Sequence, residues 1–235
     1  MVLDSGFTWD GFDIAISADG ATVYGCGALG SQGGILAIGV GGPTTSMRYS
    51  SFSIGGGVAI TPDGSTLYVG DFYGTSPSAL DLTSPAPAPL PDALGNWASY
   101  YSWFPWDNFA VSPDGTRAAI FANFGGVTVL DLTMSPALPL CSAAFDFECA
   151  TFEDSVTLLL SNKSTGIFAL DVISGTISSL DRGLRFVQDL EIVGTTAYAV
   201  DVSGVSARLE APGARDNLHP DRILAVDLTS GEVAT

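Results

Sequence analysis

Ser112-Pro-Asp-Gly-Thr-Arg-Ala-Ala-Ile-Phe-Ala-Asn-Phe-Gly-Gly-Val-Thr-Val-Leu-Asp-Leu-Thr133 decides the fold, because it is one copy of a unit that occurs five times. An alternating apolar run, Asn108 to Ser112, leads into the turn signal Pro113-Asp114-Gly115, and a second run, Arg117 to Ala122, leaves it. A Gly-containing loop, Asn123 to Gly126, then precedes a third alternating run, Val127 to Leu132. Period-two alternation rich in β-branched residues and bounded by turn chemistry is the pattern of half-buried antiparallel strands.

The other copies are recognisable by the same marks. Gly57 to Val69 repeats the first hairpin around Pro62-Asp63-Gly64, and Ser78 to Thr83 repeats the third strand. Asp13 to Tyr24 is a hairpin around Asp19-Gly20, completed by Gly34 to Ile38. Glu148 to Leu160, with Ile167 to Val172, forms a fourth copy that has Asp154-Ser155 at the turn. Asp189 to Tyr198, with Ile223 to Leu228, forms a fifth whose turn is shorter by two residues. Four third strands carry Asp at one position, Asp81, Asp131, Asp171 and Asp227, where the first copy has Gly39.

Spacing sets the topology. The turn residues Gly20, Gly64, Gly115, Ser155 and Gly194 lie 44, 51, 40 and 39 residues apart. A period of that length with about four strands predicts the blades of a β-propeller, whose faces are buried only by their neighbours. Stretches such as Cys141 to Phe147 and Thr176 to Asp181 supply the fourth strands. Leu180 to Leu190 matches Leu3 to Ile14, so the chain is expected to start with the outer strand of a blade whose inner strands lie at the C-terminus. Pairing of the two ends would close a ring of five blades and remove free sheet edges. The alternative is a piece of a six- or seven-bladed propeller.

The pattern Ser-Pro-Asp-Gly, strand, short loop, Val-x-Val-x-Asp-Leu-Thr resembles the YVTN-type β-propeller repeat, a relative of the lactonase-like, NHL and TolB-type propellers. The resemblance covers nearly the whole chain, and Ser112 to Gly115 with Val127 to Thr133 is its nearest copy. Where that family has Tyr-Val-Thr-Asn, this chain has Tyr68-Val-Gly-Asp71, Ile120-Phe-Ala-Asn123 and Leu159-Leu-Ser-Asn162. The family includes binding proteins, surface proteins and hydrolases, so the resemblance implies an architecture and selects no activity.

Composition narrows the partners. The chain has 235 residues, 46% of them hydrophobic, enough for one well-buried all-β domain. With 25 acidic residues against 8 basic ones the net charge is −17, which repels nucleic-acid phosphates and anionic lipid and favours cations or a high-salt setting. No apolar run reaches the roughly 18 residues of a membrane span. The N-terminus lacks the order of a signal peptide, so the expectation is a cytoplasmic protein, or an extracellular or periplasmic one whose leader lies outside this sequence. The cysteines, Cys26, Cys141 and Cys149, show no metal-binding spacing and read as buried free thiols, with a Cys141–Cys149 bridge as the alternative.

Two sets of residues carry candidate chemistry. Aligned on the repeat, one position at the start of the innermost strands holds Asp13, Gly57, Asn108, Glu148 and Asp189. Asp13, Glu148 and Asp189 around a channel mouth could bind a divalent cation such as Ca²⁺ through hard oxygen ligands, or serve as acid and base. The second set is aromatic: Trp97, Tyr101, Trp103 and Trp106 with Asp107 lie in one link, and Trp9-Asp10 takes the related place in the first copy. Exposed rings beside polar groups suit the face of a sugar or another apolar ligand, and rings sealed between blades are the alternative. The loop Asp201 to Arg222 holds the only histidine, His219, which is expected to be solvated.

Two functions follow. One is a noncatalytic propeller that presents an aromatic, acidic loop face to a small molecule, a glycan or a protein partner. The other is a hydrolase, lactonase-like or glycosidase-like, that uses the channel-mouth carboxylates or their cation. Oligomeric state is not legible.

Overall fold

The computed structural model describes residues 7–8, 14–29, 32–41, 45–49, 55–71, 78–84, 88–90, 94, 109–122, 126–144, 147, 149–162, 166–180, 187–193, 195–201, 222–228 and 233–234. All regular structure among them is β, and no helix is long and apolar enough to cross a membrane. The strands form five antiparallel sheets.

The first sheet contains β1 (Phe7–Thr8), β2 (Ile14–Ile16), β3 (Thr22–Leu29), β4 (Gln32–Gly39) and β5 (Thr45–Tyr49), with β1 and β2 both paired to β3. The second runs in order β6 (Gly55–Ile60), β7 (Thr66–Asp71), β8 (Ser78–Asp81), β9 (Ala88–Pro89). The third is β10 (Phe109–Val111), β11 (Arg117–Ala122), β12 (Gly126–Asp131), β13 (Leu138–Ala143), and the fourth β14 (Cys149–Phe152), β15 (Thr157–Asn162), β16 (Gly166–Asp171), β17 (Thr176–Ser179). The fifth is β18 (Val187–Val193), β19 (Thr196–Asp201), β20 (Arg222–Asp227), β21 (Val233–Ala234). Its fourth strand therefore comes from the C-terminus itself. Residues 1–6, expected to pair there, lie outside the described residues.

Each repeat folds as its sequence dictates. In the third sheet the Ser112 carbonyl accepts the Gly115 N–H at 2.8 Å, and Gly115 has φ 72°, a conformation that glycine reaches at little cost. Thr61 to Gly64 and Ser17 to Gly20 repeat both features. The aligned ends of the third strands coincide in register, with Gly39 opposite Thr22, Asp81 opposite Thr66, Asp131 opposite Arg117, Asp171 opposite Thr157 and Asp227 opposite Thr196. Asp81 and Asp131 each accept the backbone N–H and the hydroxyl of the threonine two residues on, which turns the chain out of the strand.

The core lies between sheets. Ile35, Val58, Leu67 and Leu80 join the first sheet to the second, and Tyr68, Ala79, Ile120 and Leu130 join the second to the third. Val127, Val129, Leu158 and Leu160 join the third to the fourth, and Leu159, Ile167, Val187 and Leu224 the fourth to the fifth. Alternation along each strand feeds both faces, so every inner sheet is buried on two sides. Polar contacts fix the same junctions: the Ser161 hydroxyl, fully buried, donates to the Val187 carbonyl at 3.0 Å, and the Arg117 guanidinium reaches the Ser155 carbonyl.

Candidate functional site

Residues of β2, β6, β10, β14 and β18, one strand from each sheet and here called the first strands, line a cavity, the channel, of about 630 Å³. Register divides its wall into levels. Ile14, Val58, Phe109, Ala150 and Leu190 share one level, since each pairs with the fourth residue of its second strand, counted from Thr22, Thr66, Arg117, Thr157 and Thr196. One residue on, Ala15, Ala59, Ala110, Thr151 and Glu191 form the waist. Ile16, Ile60 and Val111 close the far level. Ile14 and Ile16 are 52% and 55% exposed, so the channel wall is apolar and open. Its one charged lining residue among those described is Glu191.

The same register corrects one alignment. Asp13, Gly57, Asn108 and Asp189 each precede the first level by one residue, and the residue that does so in the fourth sheet is Cys149. Glu148 stands one place earlier. The reason is a shortened turn: six residues separate the paired Val111 and Ala118, and five separate Phe152 and Leu158. Asp154 compensates within that turn by accepting the N–H groups of both Val156 and Thr157, at 2.7 and 2.8 Å. By this count Asp13 and Asp189 share one sequence position and Glu148 falls one place before it. Cys149 is buried, with its Sγ 2.8 Å from the Ser161 hydroxyl.

Trp9, Asp10, Asp13, Trp97, Tyr101, Trp103, Trp106, Asp107 and Glu148 lie outside the described residues, as does His219. Asp189 is described as part of β18 by its backbone alone. The anchors of their segments are nevertheless defined. In every hairpin the start of the first strand lies beside the end of the second, as Gly55 lies opposite Asp71 and Val187 opposite Asp201. The connections 72–77 and 202–221 and the link 91–108 therefore attach at one end of the sheets.

The opposite end is built from hydrogen-bonded aspartates. Hydroxyl donation from Thr61, then from the Ser65 backbone and hydroxyl, holds the Asp63 carboxyl below its ordinary value of 3.8. The Ser17 hydroxyl acts likewise on Asp19, and the hydroxyl and backbone N–H of Thr83 on Asp81. Partial burial raises Asp114, and donation from Ser112, Ser155 and Thr116 outweighs it, leaving the group well below the carboxylate range. These acids serve the turns.

Solved structures share the arrangement of sheets. Hydrazine synthase of Kuenenia stuttgartiensis superposes with a TM-score of 0.68 at 16% identity, over 95% of this chain and 64% of that one. A putative TolB from Agrobacterium tumefaciens gives 0.66 at 15% identity, over 94% and 78%, and the nidogen/laminin complex 0.66 at 13%, over 95% and 78%. These neighbours are β-propeller proteins. The chain has a β-propeller fold. It spans less than two thirds of the hydrazine synthase chain, and at these identities the likeness extends to the fold alone. No protein-family model and no curated protein matches the sequence.

Glu191 and Thr151 were not among the residues singled out from the sequence. A signal was present: in the aligned first strands they interrupt a column that otherwise reads Ala15, Ala59 and Ala110.

Proposed function

We propose that this protein is a noncatalytic propeller module that holds a ligand or a protein partner at the end of the sheets where its long connections attach. One observation carries the reading. The turns at the other end are short and internally hydrogen-bonded, as at Ser17, Thr61 and Ser112, whereas the segments between Asp71 and Ser78, Leu94 and Phe109, and Asp201 and Arg222 all attach at the first end. Binding residues concentrate on loops that a rigid scaffold positions. The aromatic link with Trp97, Tyr101, Trp103 and Trp106 is tethered there, ahead of Phe109. Among the neighbours, nidogen with laminin is a protein complex, which supports partner binding as one use of the scaffold.

The test is ligand capture by Trp103→Ala and Trp106→Ala variants, on a glycan array and against candidate protein partners. Retained melting temperature with lost binding supports the reading. Unchanged binding, or a drop of many degrees showing the rings to be core, overturns it.

A further inference from the structure

The cavity walled by the first strands combines apolar and polar lining. A volume of about 630 Å³ is that of a small-molecule site. Its wall presents Ile14, Ile16 and Ile60 as hydrocarbon surface and adds the ring of Phe109. Two of the wall residues, Ile14 and Ile16, are more than half exposed and offer apolar surface that a ligand could cover. At the waist, between two apolar levels, stand the hydroxyl-bearing Thr151 and the carboxylate-bearing Glu191, on the neighbouring fourth and fifth sheets. They occupy equivalent positions, opposite Leu159 and Tyr198.

We infer that the channel binds a small organic cation with an apolar body, an alkyl- or arylammonium. The carbon skeleton lies against the isoleucines and Phe109. The ammonium group sits at the waist, where the Glu191 carboxylate supplies the opposite charge and the Thr151 hydroxyl a further acceptor. Charge complementarity selects a cation over an anion, for the wall carries this carboxylate in a chain of net charge −17. The apolar levels favour an organic cation over a small hydrated ion such as Na⁺, which keeps its water and gains nothing from the hydrocarbon wall.

The experiment titrates the full chain with hexylammonium chloride and, separately, with 1-hexanol, following isoleucine methyl resonances assigned through Ile14→Val and Ile16→Val. The expected result is saturable shifts at Ile14 and Ile16, with hexanol bound about tenfold or more weakly, the ratio for a hydrogen bond to a charged group. Glu191→Gln should weaken hexylammonium by a similar factor and leave hexanol unchanged. Glu191 is exposed, and its variant is expected to fold. Hexanol bound as tightly as hexylammonium, binding insensitive to Glu191→Gln, or shifts confined to the aspartate turns would each overturn the proposal. The loop-end reading is scored by glycan and partner capture and this one by the Glu191 dependence of the titration, so failure of one is distinguishable from failure of the other.

Discussion

The Ser112 hydroxyl donates to Asp114 Oδ1 at 2.6 Å and accepts the backbone N–H of Arg117 at 3.0 Å, so one buried side chain ties both strands of a hairpin to its turn. Thr61 does the same with Asp63 and Thr66, and Ser17 with Asp19 and Thr22. Replacing Ser112 by Ala leaves the Arg117 N–H short of its acceptor at a buried position, whereas the exposed Asp114 carboxylate can turn to water. The expected cost is about 1–2 kcal/mol. For a domain of this size that lowers the melting temperature by about 2–8 °C. An unchanged urea midpoint would show that the hydroxyl is replaceable.

The aspartates of these turns make stability depend on acid. Asp19, Asp63, Asp81, Asp114, Asp131 and Asp171 all titrate below 3.8 in the folded chain. A folded value below the unfolded one contributes stability above the unfolded value, and that contribution is lost as pH falls through the folded value. Self-repulsion at a net charge of −17 acts the other way, because protonation relieves it. Salt at about 0.5 M screens that repulsion. Under this condition the urea midpoint should hold steady down to about pH 5 and fall below about pH 4. A midpoint that rises on acidification in high salt would contradict the turn assignment.

Turn glycines should be intolerant in proportion to φ. Gly115 has φ 72°, and a Cβ there would lie 3.4 Å from Pro62 Cδ in the turn of the preceding sheet. Gly41 has no such conformation, and a Cβ there meets nothing within 4 Å. Gly115→Ala is expected to cost about 1–2 kcal/mol. Gly41→Ala should be neutral or slightly stabilising, by up to about 1 kcal/mol. Equal effects of the two in chemical denaturation would remove backbone conformation as the cause.

Much of this was legible because the repeat states its own geometry. Pro113-Asp114-Gly115 and its kin mark turns by a mechanism, and alternation such as Val127 to Leu132 marks strands, so the sheets and the shared end of the connections could be read from spacing. Asp171 and Asp227 aligned correctly for the same reason. Glu148 did not, because the deletion before Thr157 lies inside a turn whose Asp154 still looks aligned, and counting back from it shifts the strand by one. The channel was harder still. Ile14 and Ile16 read only as part of a hairpin strand, and the convergence of five first strands turns them into a wall and makes Glu191 its one charged member among the described residues.

Gly70 tests how the sheets meet. An added Cβ would stand 3.1 Å from Phe109 Cε2 and 3.4 Å from the Gly57 nitrogen, tight enough that the ring has to give by a few tenths of an ångström. Glycine thus lets the aromatic ring of the third sheet pack onto the second, and overpacking is the expected consequence of Gly70→Ala, at about 1–3 kcal/mol. Phe109→Leu alone removes ring contacts and also destabilises. Combined, the smaller side chain makes room for the methyl group, so the double variant should lose less than the sum of the two, with a coupling of about 0.5–3 kcal/mol. Strict additivity would mean that Gly57 backbone, and not the Phe109 ring, sets the limit at this junction.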